Sequence, residues 1–311
     1  MPSWVRRGPM LPTAGRPPDM PGWSAEVKWD GMRALAVASG DGVRLLSRSG
    51  REITSAFPEL QALGEQLAGH GAVLDGEIVT PGADGRPDFA RLQTRMHRTR
   101  PPLQLLVAHP ALLYVFDLLH LDGTDLLATS YRQRRGMLDA LALRAGAIQV
   151  PDSYTDIAPA ELLEIARQHR LEGIVAKALD SPYRPGARTR SWIKTTLRQT
   201  TECTVGGWIA GRGRHRDVVG SLLLGVPAPY GRLHFAGHVG TGFTDHERTA
   251  FAEALSELAE PTSPFVEPVP REVARHAHWA TPVLTVEIEY REWTDDGRLR
   301  APSFQRLVDL R

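Results

Sequence analysis

Glu26-Val27-Lys28-Trp29-Asp30-Gly31-Met32-Arg33-Ala34 is the most informative stretch of the chain. It sets one lysine between apolar neighbours, directly ahead of a turn supplied by Asp30-Gly31. A lysine so placed can lose proton affinity through burial and nearby cations, which leaves an uncharged amine able to attack an electrophile. Arg33, just past the turn, offers a guanidinium for phosphate or ribose oxygens. A surface strand with a solvated lysine and an Asp-Gly hairpin gives the same short pattern, so the surrounding sequence has to decide.

Moving outward, residues 33–37 and 43–47 are strand-like and separated by Asp41-Gly42, a strong hairpin signal. A helical run carrying Leu60, Leu63 and Leu67 follows Ser55, residues 73–79 return to strand, and a helix follows Asp88. Residues 112–119 form an apolar strand broken only by Asp117; 131–143 and 159–168 are expected as helices and 173–176 as strand. This order is mixed α+β, with antiparallel sheets. Beyond Lys194, strands are expected at 203–210, 218–226, 233–239 and 282–290, with one helix at 245–258. Several strands around one helix in about 110 residues suit a small all-β Greek-key barrel of the oligonucleotide-binding type. The boundary falls near 197–201, dividing the chain into residues 1–198 and 199–311. Before residue 23, prolines at 2, 9, 12, 17, 18 and 21 predict an extended, irregular leader wrapped on the first domain. No internal repeat is evident.

The chain has 311 residues, 37 Lys and Arg against 36 Asp and Glu, and 42% apolar residues. That is an ordinary globular composition, with length for about two domains of roughly 150 residues each. No apolar run reaches the ~18 residues of a membrane span, and no apolar segment backs the basic N-terminus as in a secretory signal. A cytoplasmic monomer is expected. Cys203 is the sole cysteine, which excludes an intrachain disulfide and a Cys-based zinc cluster.

Further residues extend the first motif. Glu77 stands within a strand where an apolar residue is expected, on the same face as Asp75 and Val79. Phe116 offers a ring that can stack on a base, although a Phe in an apolar strand is usually core. Glu172 opens the strand that runs to Lys177, Lys194 sits in Ser191-Trp192-Ile193-Lys194, and Arg48 lies at a strand end in Ser47-Arg48-Ser49-Gly50. Each alone is a salt-bridged edge residue. All of them arising independently in this order is far harder to obtain.

With these motifs in place, the sequence resembles the ATP-dependent DNA ligases, specifically the compact bacterial kind related to the ligase module of ligase D and to stand-alone ligase C. The resemblance rests on residues 26–33, 47–50, Asp75-Gly76-Glu77, Phe116-Asp117-Leu118-Leu119, Glu172-Gly173-Ile174-Val175-Ala176-Lys177 and Trp192-Ile193-Lys194. Residues 180–186 and 237–243 are also similar to that branch. It implies an adenylation (nucleotidyltransferase) domain hinged near residues 197–200 to an oligonucleotide-binding-fold barrel, with ATP in the cleft between them. It also implies that Lys28 attacks the α-phosphorus of ATP, that the AMP passes to a 5′-phosphate at a nick in double-stranded DNA, and that the 3′-hydroxyl then seals the strand. Glu26, Arg33, Arg48 and Lys194 would contact the nucleotide, Phe116 would stack on adenine, and Glu77 would hold ribose. Glu77 and Glu172 would help hold Mg²⁺ or Mn²⁺. The implied setting is DNA repair, recombination or end joining, with any protein partners on separate chains.

Two departures stand out. The family's Lys-x-Lys segment is Lys194-Thr195-Thr196 here, and the C-terminal Asp-Lys pair of related ligases is missing from Leu307-Val308-Asp309-Leu310-Arg311, where only Arg311 supplies a cation. Slower self-adenylylation than in relatives is expected. For DNA contact, Arg212, Arg214, His215 and Arg216 form one basic cluster and Arg95, Arg98 and Arg100 another. His97, His109, His276 and His278 lack metal-ligand spacing and read as structural. An RNA ligase, a GTP-using capping enzyme and a non-catalytic nucleic-acid scaffold stay open as alternatives.

Overall fold

The structure, a computed structural model, describes residues 2–19, 21–96, 98–143, 146–211, 213, 216, 218–294 and 296–310. Two compact units make up the chain, Met1–Leu197 and Arg198–Arg311. Among the described residues, no helix is long and apolar enough to cross a membrane.

The first unit contains strands β1 (Leu11–Ala14), β2 (Trp23–Val27), β3 (Met32–Ser39), β4 (Gly42–Ser47), β5 (Ala72–Val79), β6 (Leu112–Leu121), β7 (Thr124–Asp125), β8 (Ile148–Gln149), β9 (Gly173–Ala178) and β10 (Arg188–Thr196). One sheet has the order β1-β10-β9-β2; the other runs β4-β3-β5-β6-β7, with β8 beside β6. Among the described strands of this unit, only β1 on β10 and β8 on β6 pair in parallel. Alternation along β3 sends Ala34, Ala36 and Ala38 to one core and Leu35 and Val37 to another. The second of these cores also holds Phe116 and Trp192, so the two sheets pack face to face across it. Helices α1 (Ala62–Gln66), α2 (Phe89–Gln93), α3 (Leu103–Ala108), α4 (Tyr131–Ala140) and α5 (Pro159–Gln168) complete the unit. Ala166 and Leu162 of α5 cover Ala25 and Ile174 on the outer face of the first sheet.

Three expectations need correction. The leader does more than wrap the domain: Leu11–Ala14 is a true edge strand, where Pro12 breaks no interior ladder. In the first hairpin Ser39 pairs with Gly42, so Gly40 and Asp41 form the turn rather than Asp41 and Gly42. The Leu60–Leu67 region is two short pieces, a 3-10 turn at Pro58–Gln61 and then α1, although Leu60, Leu63 and Leu67 are all buried as the spacing requires. Asp117, the one break in an apolar strand, is explained by Arg134 of α4. Its Nε and Nη2 donate to the two Asp117 oxygens at 2.8 and 2.9 Å, with both side chains fully buried.

The second unit holds β11 (Gln199–Ala210), β12 (Val219–Pro227), β13 (Leu233–Val239), α6 (Asp245–Glu257), β14 (Ala259–Glu260), α7 (Arg271–Ala274), β15 (Ala277–Ala280), β16 (Leu284–Tyr290) and β17 (Ser303–Leu310). The long β11 pairs with β12, β15 and β16, and β16 with β17. Thr244 and Glu247 form a reciprocal capping box that starts α6. The expected strands and helix are present; β14, β15, β17 and the single turn α7 are additions.

Removing one partner of a buried ion pair strands the other charge. Asp117→Ala is therefore expected to destabilise the protein by about 3–5 kcal/mol in urea denaturation; a loss below 1 kcal/mol would contradict the burial assigned to Arg134.

Candidate active site

A cavity of about 160 Å³ lies within the first unit, lined from both sheets. Its contents follow from register. Across the first sheet Glu26, Val175 and Lys194 are lateral partners, and Ser24, Lys177 and Trp192 form the adjacent row. Residues two apart share a face, so Glu26, Lys28, Lys177, Trp192 and Lys194 all converge on the cavity.

Lys28 follows the last residue of β2, and its backbone N–H donates to the Gly173 carbonyl at 2.9 Å. That contact needs glycine: Gly173 has φ +141°, and a Cβ there would lie 2.1 Å from the Thr195 carbonyl oxygen. The preceding residue, Glu172, then meets the lysine side chain, with Lys28 Nζ 2.5 Å from Glu172 Oε1. Gly31 is equally constrained, since a Cβ would sit 2.2 Å from the Ile78 carbonyl oxygen of β5. The Asp30-Gly31 turn thus presses the lysine's chain against the second sheet.

On that sheet Arg33 and Glu77 are register partners. Arg33 forks onto Asp75 at 2.6 and 2.7 Å and lies 4.5 Å over the Phe116 ring. The Tyr183 hydroxyl donates to Asp75 at 2.6 Å and accepts from the Met10 N–H at 2.8 Å, tying the 180–186 segment and the leader to the same carboxylate. Arg33 and Phe116 do line the cavity, but Asp75 already occupies the guanidinium fork and Phe116 is buried beneath cations. Glu26, also buried, accepts from the Tyr131 hydroxyl and from Lys177 Nζ at 2.7 Å. Lys177 is a charged cavity residue that motif reading passed over. It closes the Glu172–Lys177 motif at an inward position, yet a lysine at a strand end reads as a solvated edge residue. Lys28, Lys177 and Lys194 are the only lysines in the sequence, and all three line this one cavity.

Burial pushes the Glu77 carboxyl up to about 8, against the downward pull of Arg33 and Lys28 and with the help of Glu172. Lys177 is lowered by burial, which outweighs Glu26. Lys194 is lowered by burial and by repulsion from Lys28 and Arg188. Arg48 reaches the cavity from an exposed position. Among the described residues no cluster of three or more His, Cys, Asp or Glu could hold a metal ion, which leaves Glu77 and Glu172 as the neighbouring carboxylates.

One expected phosphate contact is corrected. Arg95 is fully buried and donates to Glu59 and to the Ala56 and His109 carbonyls, so it cannot meet a backbone in solvent. Arg98, Arg100 and Arg216 are exposed. His97, Arg212, Arg214, His215 and Arg311 lie outside the described residues.

Comparison with known proteins bears on the same two units. An ATP dependent DNA ligase domain matches residues 18–195, and an ATP dependent DNA ligase C terminal region matches 215–309. The chain belongs to the ATP-dependent DNA ligase family. It is 42% identical over 301 residues to the multifunctional non-homologous end joining DNA repair protein LigD of Mycobacterium tuberculosis, covering 96% of this chain and 38% of that protein. Identity to the LigD of Pseudomonas aeruginosa is 33% over 319 residues, or 99% of this chain and 36% of the relative. The chain thus spans well under half the length of these relatives. The crystal structure of the ligase domain from M. tuberculosis LigD matches with a TM-score of 0.58 and 40% identity, covering 99% of this chain and 96% of that one. A mycobacterial DNA ligase D complexed with ATP and MES gives 0.59 at the same identity, again covering 99% and 96%. The fold is that of the ligases: an α+β nucleotidyltransferase domain of antiparallel sheets with helices, followed by an all-β oligonucleotide-binding-fold barrel.

A carboxyl near 8 when folded and 4.5 in the unstructured reference keeps a proton that the unfolded chain releases. Stability is therefore fully present below about pH 4.5 and is lost as pH rises toward 8. Thermal melts of Glu77→Gln between pH 5 and 9 are expected to lack this component of the slope; a slope identical to the parent's would contradict it.

Proposed function

We propose that this chain is an ATP-dependent DNA ligase that works through a covalent AMP on Lys28 and seals 5′-phosphate/3′-hydroxyl nicks in duplex DNA. The observation that carries this reading is the Lys28 amine held beside Glu172 at the mouth of a cavity into which every lysine of the chain points. In the first step the Lys28 nitrogen bonds to the α-phosphorus, the bond to the β-phosphate oxygen breaks, and pyrophosphate leaves. Glu172 Oε1, 2.5 Å from the amine, accepts its proton. Lys194 and Arg48 neutralise phosphate oxygens as charge moves, the term that dominates phosphoryl chemistry.

Base choice follows from the cavity floor. The Glu26 carboxylate accepts from an amino group and Lys177 donates to a ring nitrogen, which matches the edge of adenine and clashes with the reversed edge of guanine. Phe116 backs the base from behind, and Arg33 holds the wall through Asp75 rather than acting as a free phosphate clamp. We assign Glu77 to the ribose; with its proton displaced by the cation, Glu77 would join Glu172 in holding a divalent ion, because Mg²⁺ takes one or two carboxylates and completes its shell with substrate phosphates and water. When bound, such an ion supplies further neutralisation of the triphosphate.

The residues up to 198 then serve as the adenylation domain, and those from 199 grip the nicked duplex, with Arg98, Arg100 and Arg216 as exposed cations. The likeness to LigD supports a place in end joining or DNA repair, with the chain acting in the cytoplasm as a monomer and with partners on other chains.

Sealing of a 5′-phosphorylated nick is expected with ATP and Mg²⁺ or Mn²⁺, not with GTP, and on DNA in preference to RNA. Lys28→Ala should lower the rate by on the order of 10⁴-fold or more, and Lys177→Met should narrow the preference for ATP over GTP. Equal use of GTP, or sealing by Lys28→Ala, would overturn the reading.

A further inference from the structure

The second unit carries an open pocket of about 480 Å³ between the end of β11 and the start of β15. Ile209, Ala210 and Gly211 form one side, and Arg275, His276 and His278 the other. The three basic residues are exposed, and no carboxylate lines the pocket. Among the described residues neither Arg275 nor His276 has an ion-pair partner, unlike the half-buried Arg300 and the exposed Arg306 of the same unit. His278 stacks on Trp208 at 4.6 Å and 24°, which fixes its ring at the pocket edge.

We infer that this pocket holds the sugar-phosphate backbone of a bound duplex. Arg275 supplies a permanent charge and a planar fork for phosphate oxygens, and the imidazoles add N–H donors on the same wall. The opposite wall is apolar and small, as contact with deoxyribose requires. A volume of about 480 Å³ lies in the range that accepts a drug-sized segment, more than a lone anion fills. The inference rests on the ligase reading for the identity of the polyanion.

The test measures binding of full-length protein to a fluorescent nicked duplex from 50 to 300 mM salt. Arg275→Ala is expected to weaken binding several-fold and to reduce the slope of log K against log salt by about 1. Arg275→Lys should retain the slope, and the Arg275→Ala/His276→Ala pair should weaken binding further. AMP transfer to Lys28 should be unchanged in all three. In parallel, the imidazole protons of His276 and His278 are followed by NMR with duplex or with sodium pyrophosphate alone; a response to duplex is expected, without saturation by pyrophosphate. Parent-like affinity and slope in Arg275→Ala would overturn the inference while leaving the ligase reading intact. Saturation by pyrophosphate would reassign the pocket to a small anion. Failure of the parent itself to bind nicked duplex would remove both.

Discussion

The fork between Arg33 and Asp75 sits where the two sheets of the first unit face each other, and the site depends on it. Asp75 is fully buried and takes both guanidinium donors as well as the Tyr183 hydroxyl. Through Tyr183 the same carboxylate reaches the Met10 N–H, and Arg33 donates to the Met10 carbonyl at 3.3 Å. One ion pair therefore joins β3, β5, the 180–186 segment and the leader. A buried pair of this kind is a weak source of net stability, but removing either partner is costly, so the geometry around it is strongly specified.

That specification sets the charge of the cavity. Lys28, Lys177, Lys194, Arg33 and Arg48 face Glu26, Asp75, Glu77 and Glu172. Burial keeps Glu77 protonated through neutral pH, which leaves Glu26, Asp75 and Glu172 in ion pairs and the cations in excess. An excess of positive charge in a partly desolvated cavity favours a polyphosphate over a neutral metabolite. Burial disfavours a proton on Lys177 and Lys194, and at Lys194 repulsion from Lys28 and Arg188 adds to it.

Much of this was legible in the sequence because strand alternation and charge placement are local. Glu77 could be set on the face of Asp75 and Val79 by counting residues, and Lys28, Glu172 and Lys194 stood out as charges set among apolar strand residues. What was not legible came from distant partners or small displacements. Arg95, Arg98 and Arg100 read as one basic run, but Glu59, 36 residues away, draws Arg95 into the core. Gly40 and Gly42 flank Asp41 symmetrically, so the hairpin could close one residue early. Pro12 argued against a strand, and only the edge position on β10 makes one possible. Lys177 and Arg275 were hidden for opposite reasons: a strand-end lysine turned inward, and an isolated arginine turned outward beside two histidines.

In the proposed reaction one particular amine of this cavity is the nucleophile. Because the chain has three lysines and all of them line the cavity, its identity reduces to a choice among three positions. The direct measurement is peptide mapping by mass spectrometry after incubation with ATP and a divalent ion. AMP is expected on the peptide carrying Lys28 and on no other. AMP on the Lys177 or Lys194 peptide, or no adduct after pyrophosphate treatment and re-exposure to ATP, would contradict it.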